Sequence, residues 1–295
     1  MTFAPDAIIY HFPCPDGFAS AYVAHQRWPE ADLIPTNYGK PFKFEELKGK
    51  AVLIVDFSFP LDQLLGLAAM CNGVLVLDHH KTAAEALAVV PAPNSHRADE
   101  CIVEPEQLRA WFDMEHSGVS MTWAFCFGSQ PDDPPNPMPD VFAAIGDRDL
   151  WRFELEHTEE ISAAVRSYPY DFVIWKERLL KVPTETLILD GKAIARFIDR
   201  LVDDIASHAK FRMLQPADWI GVPVVNCPPQ LSSEVGHRLL TLHPSAPFAA
   251  TYSQGDGIRT WRLRSTDKRT DVSVIARKFG GGGHRNAADF KSVID

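Results

Sequence analysis

Three strongly apolar runs near the start of the chain stop on residues that bind metals. AIIYHF (7–12) is followed through YHFPCPDG by His11, Cys14 and Asp16; KAVLIVDFS (50–58) reaches Asp56; and GVLVLDHH (73–80) closes on Asp78, His79 and His80. Runs this continuously apolar suit strands buried on both faces. Between them lie helical spacings, GFASAYVAHQRW (17–28) and PLDQLLGLAAM (60–70), with ADLIPTN (31–37) a further strand. The alternation predicts an α/β fold built on a mainly parallel sheet flanked by helices. In such sheets ligands bind beyond the carboxyl ends of the strands, so the three endings are expected to face one crevice. A single Asp after a strand reads equally well as a helix cap or turn residue; three such endings within the first eighty residues are harder to explain that way.

From about residue 104 the pattern becomes helical: HSGVSMTWAFCFG (116–128), VFAAIGDRDLW (141–151) and 158–181, with a proline-rich loop, PDDPPNPMPD (131–140), that no helix crosses. The longest helical pattern, 183–214, stops short of Pro216 and reads as a connection between two domains. Strand patterns then return in WIGVPVVNC (219–227), PFAATYSQ (247–254) and IRTWRLRS (258–265), the last two joined as a hairpin through Gly-Asp-Gly. SSEVGHRLL (232–240) and DVSVIARKF (271–279) read as helices, and GGGGHRNAADF (280–290) follows.

Mixed His and Asp donors suit Mn²⁺, Co²⁺ or Zn²⁺, whereas an all-oxygen set points to Mg²⁺ or Ca²⁺. Two such ions sharing a carboxylate and a water would generate hydroxide at neutral pH and stabilise charge on phosphoryl oxygens. The glycine run ending in His284, Arg285 and Asn286 offers backbone N–H groups to an anion, flanked by charged donors. A flexible hinge is the other reading.

The formal net charge is −10, which argues against coating duplex nucleic acid but leaves room for a small phosphorylated ligand. Five widely spaced cysteines without a CxxC pair fit a reducing compartment. No basic, apolar leader and no apolar run near about 18 residues is present, so a cytoplasmic protein with no membrane partner is expected.

LVLDHH, the preceding VDFS and the early HxxCxDG together resemble the DHH phosphoesterase superfamily, and RLRS with the terminal GGGGHRNAADF resembles its DHHA1 substrate-binding domain. The HxxCxDGF opening and GDRDLW are similar to a branch described as oligoribonuclease or cyclic-nucleotide phosphodiesterase-like. The resemblance implies a DHH catalytic domain over 1–182, a connecting helix over 183–215 and a smaller α/β DHHA1 domain over 216–295. It implies Asp16 on one metal, Asp56 bridging two, His79 as a metal ligand, His80 facing substrate phosphate, and Asp78 orienting a histidine from behind. Asp147 matches the fourth-motif ligand, with Asp149 the weaker candidate or a structural residue; Gly282, Gly283, His284, Arg285 and Arg264 would grip substrate, His116 is a further candidate phosphate contact, and Lys81 reads either as a phosphate contact or as a solvated lysine.

The first motif departs from its relatives. Cys14 stands where many have Asp, and His11 lies five residues before Asp16 rather than six. Either His11 and Cys14 complete a variant metal position, softer than carboxylate and biased to Zn²⁺ or Co²⁺, or Cys14 is a small packed residue. The resemblance implies a manganese-dependent phosphodiesterase, with Co²⁺, Zn²⁺ or Mg²⁺ as substitutes, acting on short single-stranded oligonucleotides or cyclic and linear dinucleotides. The same chemistry serves a phosphatase for 3′,5′-bisphosphate-type monoesters or polyphosphate. A non-catalytic nucleotide sensor is the third reading, disfavoured because Asp16, Asp56, His79 and Asp147 are all present. A homodimer follows from the resemblance alone.

Overall fold

The structure is a computed structural model describing residues 2–128, 137–214 and 219–294, with side chains omitted at 212–214 and 219. Residues 131–136 of the expected proline-rich loop, and Pro216, lie outside the described residues. The chain divides into two compact units, Met1–Ala195 and Arg196–Asp295.

In the first unit β1 (Ala7–His11), α1 (Pro15–Arg27), β2 (Asp32–Thr36), β3 (Val52–Val55), α2 (Leu61–Ala68), β4 (Val74–Asp78), α3 (Lys81–Ala86) and β5 (Leu108–Phe112) follow in order. The five strands form one sheet in the order β2-β1-β3-β4-β5, every pair parallel. The central strands are apolar throughout because both faces are covered. Ile8, Leu53, Val55, Leu75 and Leu77 enter one core, while their sequence neighbours Ile9, Val52, Ile54, Val74 and Val76 enter the other. The chain turns to opposite sides of the sheet after β1, which places a topological switch between β1 and β3.

The first core is completed by α4 (Gly118–Phe127), α5 (Asp140–Asp149), α6 (Thr158–Arg166) and the short α7 (Phe172–Trp175), which runs on as a π-helical turn over Lys176–Leu180. The continuous helix expected over 158–181 is thus broken, at a turn containing Pro169, whose ring and missing N–H cannot sit inside a helix. The strand β5 was not expected. Its sequence, LRAWF, has half-buried residues at most positions because it lies at the sheet edge, so it lacks the apolar run that marks the central strands.

The long helix α8 (Thr184–Ser207) carries the boundary between the units and ends earlier than its periodicity predicts. Ser207 Oγ donates to the Asp204 carbonyl at 2.7 Å, taking one of the terminal acceptors, and residues 210–214 become a strand instead. In the second unit β6 (Lys210–Leu214), β7 (Trp219–Asn226), α9 (Ser232–Leu242), β8 (Ala249–Gly255), β9 (Ile258–Arg264), α10 (Val272–Lys278), β10 (Gly282–Gly283) and β11 (Ala287–Val293) build a six-stranded sheet in the order β10-β11-β9-β8-β7-β6. Among the described residues only β7–β8 pairs in parallel. The expected hairpin is present: β8 and β9 join through Asp256 and Gly257, both at positive φ (52° and 73°), as a tight twisted turn requires.

Candidate metal centre

The endings of β1, β3 and β4 meet as their strand order dictates. Around His79 Nε2 stand Asp56 Oδ1 at 3.0 Å, Asp149 Oδ2 at 3.5 Å and Asp16 Oδ2 at 3.6 Å. On the other side of Asp56, Oδ2 lies 3.4 Å from His11 Nδ1. Asp16, Asp56 and His79 are each 1% exposed.

Local structure holds each group. Asp56 follows β3 with a φ of 53°, a left-handed conformation that Asp tolerates better than most residues but that carries strain of order 1 kcal/mol or more. Asp16 lies in the first turn of α1, and both its oxygens are gripped by the start of α4: Gly118 N–H donates to Oδ2 at 2.6 Å and Val119 N–H to Oδ1 at 3.0 Å. A helix N-terminus is a ready anion site. The approach demands glycine, because a Cβ at 118 would stand 2.6 Å from Asp56 Cβ and 2.8 Å from Asp16 Oδ2. Ser117 is the N-cap of α4.

Asp78 is wholly buried behind the cluster. It accepts from Ser58 Oγ at 2.6 Å and from His79 N–H at 2.8 Å, and it holds His80 Nδ1 at 2.7 Å. Burial would raise its pKa, but the charges of His80 and His79 and the His80 hydrogen bond bring it below the usual carboxylate range. Asp78 therefore orients His80 in the manner of carboxylate–histidine pairs at metal sites.

The electrostatics of the cluster are unbalanced. Burial, together with Asp56 and Asp149, pushes the Asp16 pKa well up, and burial raises Asp149 also. His79 would be lowered by burial, but the hydrogen bond to Asp56 and the charges of Asp149, Asp56 and Asp16 push it up to about 10. Burial and the same carboxylates raise the Cys14 thiol well above its ordinary value. Unit charges 4 Å apart repel by about 4 kcal/mol at an effective dielectric near 20, so three carboxylates around one imidazole leave surplus negative charge. One N–H also cannot serve three carboxylates. Asp56 Oδ2 and His11 Nδ1 are buried with no hydrogen-bond partner. These residues fit a divalent cation.

The fourth-motif expectation needs correcting. Asp147, also buried, stands apart from the cluster: its carboxylate accepts from Glu154 N–H and Leu155 N–H, both at 3.1 Å, and from Thr158 Oγ1. It is a clasp that folds the chain after α5 back against the start of α6. Asp149, the weaker candidate of the two, is the α5 carboxylate that faces His79. The helix explains the exchange, since residues two apart point to different sides.

His116 also lies outside the cluster, held by Asp113 Oδ2 at 2.9 Å in an exposed turn, and Lys81 Nζ lies 3.7 Å from Glu85 at the start of α3. Among the aromatic residues, Phe18 is a core residue packed on Phe172 and Trp175. Trp151 packs edge-on against Phe153. Tyr38 is at the site: its ring centroid lies 5.6 Å from His11 and 6.0 Å from His80, and the residue is 43% exposed. Nothing in its local sequence marks it, because its position depends on the turn after β2.

In the second unit, Gly282 and Gly283 pair with Asp289 and Ala288 of β11. Gly283 has a φ of 135°, and a Cβ there would stand 2.5 Å from the Ala287 carbonyl oxygen. The strand pairing thus gives these glycines a structural reason that the phosphate-nest reading did not contain. His284 closes the turn, its N–H donating to the Ala287 carbonyl at 2.8 Å. Arg285 is committed to the Asp267 carbonyl at 2.9 Å, the Arg269 carbonyl at 3.2 Å and Asp271 at 3.4 Å. Arg264 is half-buried, donating to Ser233 Oγ at 2.9 Å and the Leu263 carbonyl at 2.8 Å, 3.6 Å from Asp289.

No protein-family model matches the chain. An uncharacterized protein of Acanthamoeba polyphaga mimivirus is 29% identical over 300 residues, covering 96% of this chain; the chain spans 66% of that protein's length. Among solved structures, the DHH domain of a member of a ribosomal-protein family matches at a TM-score of 0.55 and 14% identity, over 98% of this chain and 83% of that one. A pGpG-specific phosphodiesterase of Vibrio cholerae is a looser likeness, at a TM-score of 0.42 and 11% identity over 99% of this chain and 94% of that one.

Proposed function

We propose that this chain, which has the fold of the DHH proteins, is a metal-dependent phosphoesterase that hydrolyses phosphodiester bonds in a small nucleotide, a short single-stranded oligonucleotide or a cyclic or linear dinucleotide, with manganese the first metal to try. The convergence of Asp16, Asp56 and Asp149 on His79 Nε2 at the carboxyl end of a parallel sheet carries this reading.

Asp16, Asp56, His79 and Asp149 would hold metal, with His11 and Cys14 beside them. When bound, divalent ions acidify a water and neutralise phosphoryl oxygens. The chain's own groups do the rest. Gly118 and Val119 N–H groups fix the Asp16 carboxylate, so its direction is set before any ion arrives. Asp78 fixes His80 through Nδ1, so the direction in which the ring would present Nε2 to a phosphoryl oxygen is set by the protein. Tyr38, half-exposed beside His80, offers a face on which a nucleobase can stack, and this favours a nucleotide over polyphosphate. In the second unit, Gly282, Gly283, His284 and Arg264 remain the proposed substrate contacts; Arg285 is the weakest of them because its donors already serve the 267–271 loop.

The test is a hydrolysis panel with Mn²⁺, with and without chelator: a dinucleotide, a five-nucleotide RNA, cyclic AMP, a 3′,5′-bisphosphate nucleotide and pyrophosphate. Chelator-sensitive turnover of a diester is the expected result. Turnover of the bisphosphate alone would replace the diesterase by a monoesterase, and binding without turnover under any metal would replace it by a sensor.

A further inference from the structure

The cluster has two sides, and their donors differ in kind. Asp16, Asp56 and His79 form one set of ligand atoms, and His11 Nδ1, Cys14 Sγ and an Asp56 oxygen form another, each set within 4.8 Å. Asp56 serves both: Oδ1 lies 3.0 Å from His79 Nε2, while Oδ2 faces His11 Nδ1 at 3.4 Å. That Oδ2, in a residue 1% exposed, and the His11 Nδ1 it faces are both buried without a hydrogen-bond partner. A buried polar atom left without a hydrogen bond is costly, and two of them facing each other at 3.4 Å beside a thiol fit a shared ligand. Cys14 forms no disulfide and occupies the N-cap of the 13-residue α1 without making a side-chain capping bond.

We propose that His11, Cys14 and Asp56 bind a thiophilic divalent ion, zinc or cobalt, and that Asp56 shares it with a harder ion, manganese or magnesium, held by Asp16, His79 and Asp149. The proposal rests on the metal-dependent reading above and adds the identity of one ion. One imidazole nitrogen, one thiolate and one carboxylate are borderline-to-soft donors that suit Zn²⁺ and Co²⁺, whereas three carboxylates and one imidazole form a set rich in oxygen. On binding, the Cys14 S–H proton passes to solvent and the S–metal bond replaces the S–H bond.

The experiment loads the full chain, stripped by chelator, with Co²⁺ and reads the near-ultraviolet absorption and the bound cobalt together. A thiolate-to-cobalt charge-transfer band is expected. It should vanish in Cys14→Ser, with cobalt affinity at that position at least about 10-fold weaker. Cys14→Asp should lose the band and keep the cobalt count. Cobalt bound without the band, or a band that survives in Cys14→Ser, overturns the proposal. If the unloaded chain also shows chelator-sensitive Mn²⁺-dependent hydrolysis, the functional reading survives that failure; if no divalent ion binds at all, both fall.

Discussion

The two units bury charge in opposite ways. At the strand ends of the first unit, three carboxylates and a thiol surround two histidines, and Asp56 Oδ2 faces His11 Nδ1 at 3.4 Å without a hydrogen bond. In the second unit the half-buried Arg264 is matched at once by Ser233, the Leu263 carbonyl and Asp289, and Arg262 on the same strand shares Asp289 at 3.6 Å. A balanced site stabilises the fold as it stands. An unbalanced one is stable only with a partner of opposite charge, and the sign of the imbalance says which. Asp147 repeats the lesson within the first unit: it is as buried as a ligand should be, but every bond it makes is to its own chain.

Substitutions can break this comparison. Asp149→Asn removes a charge from the unbalanced side, so Mn²⁺ affinity should fall at least about 10-fold while urea unfolding of the chelated protein stays unchanged or shifts to higher denaturant. Asp147→Asn should do the reverse, costing about 2–3 kcal/mol in the same unfolding curve because an amide N–H₂ meets the donors Glu154 N–H and Leu155 N–H, with metal affinity kept. If both substitutions weakened metal equally, the separation of the two aspartates would be wrong. Arg264→Met should have a smaller effect, about 1–3 kcal/mol of stability, with metal titration unmoved. A fall in Mn²⁺ affinity there would show that the second unit's charge is not self-contained.

The parallel sheet was legible because its central strands are apolar on both faces, a pattern that short segments show without help from the rest of the chain. The same legibility reached Asp16, Asp56, Asp78, His79 and His80, since strand ends in such a sheet share one edge. What was hidden depended on contacts distant in sequence. An edge strand such as β5 has no continuous apolar run, and β6 reads as helix until its pairing with β7 is known. Asp147 and Asp149 sit in one short motif, and only the helix direction decides which faces His79. Tyr38 was invisible as a site residue because aromatic character alone does not say what a loop brings it against.

The most direct measurement is thermal unfolding of the wild type and Asp56→Ala with and without Mn²⁺. Ion held by the folded chain alone should stabilise the wild type by about 2.7 kcal/mol at a hundredfold excess over Kd, and leave the variant's Tm unmoved because the shared carboxylate is gone. A wild-type Tm indifferent to divalent ions, or an equal gain in both proteins, would contradict the metal centre on which this account stands.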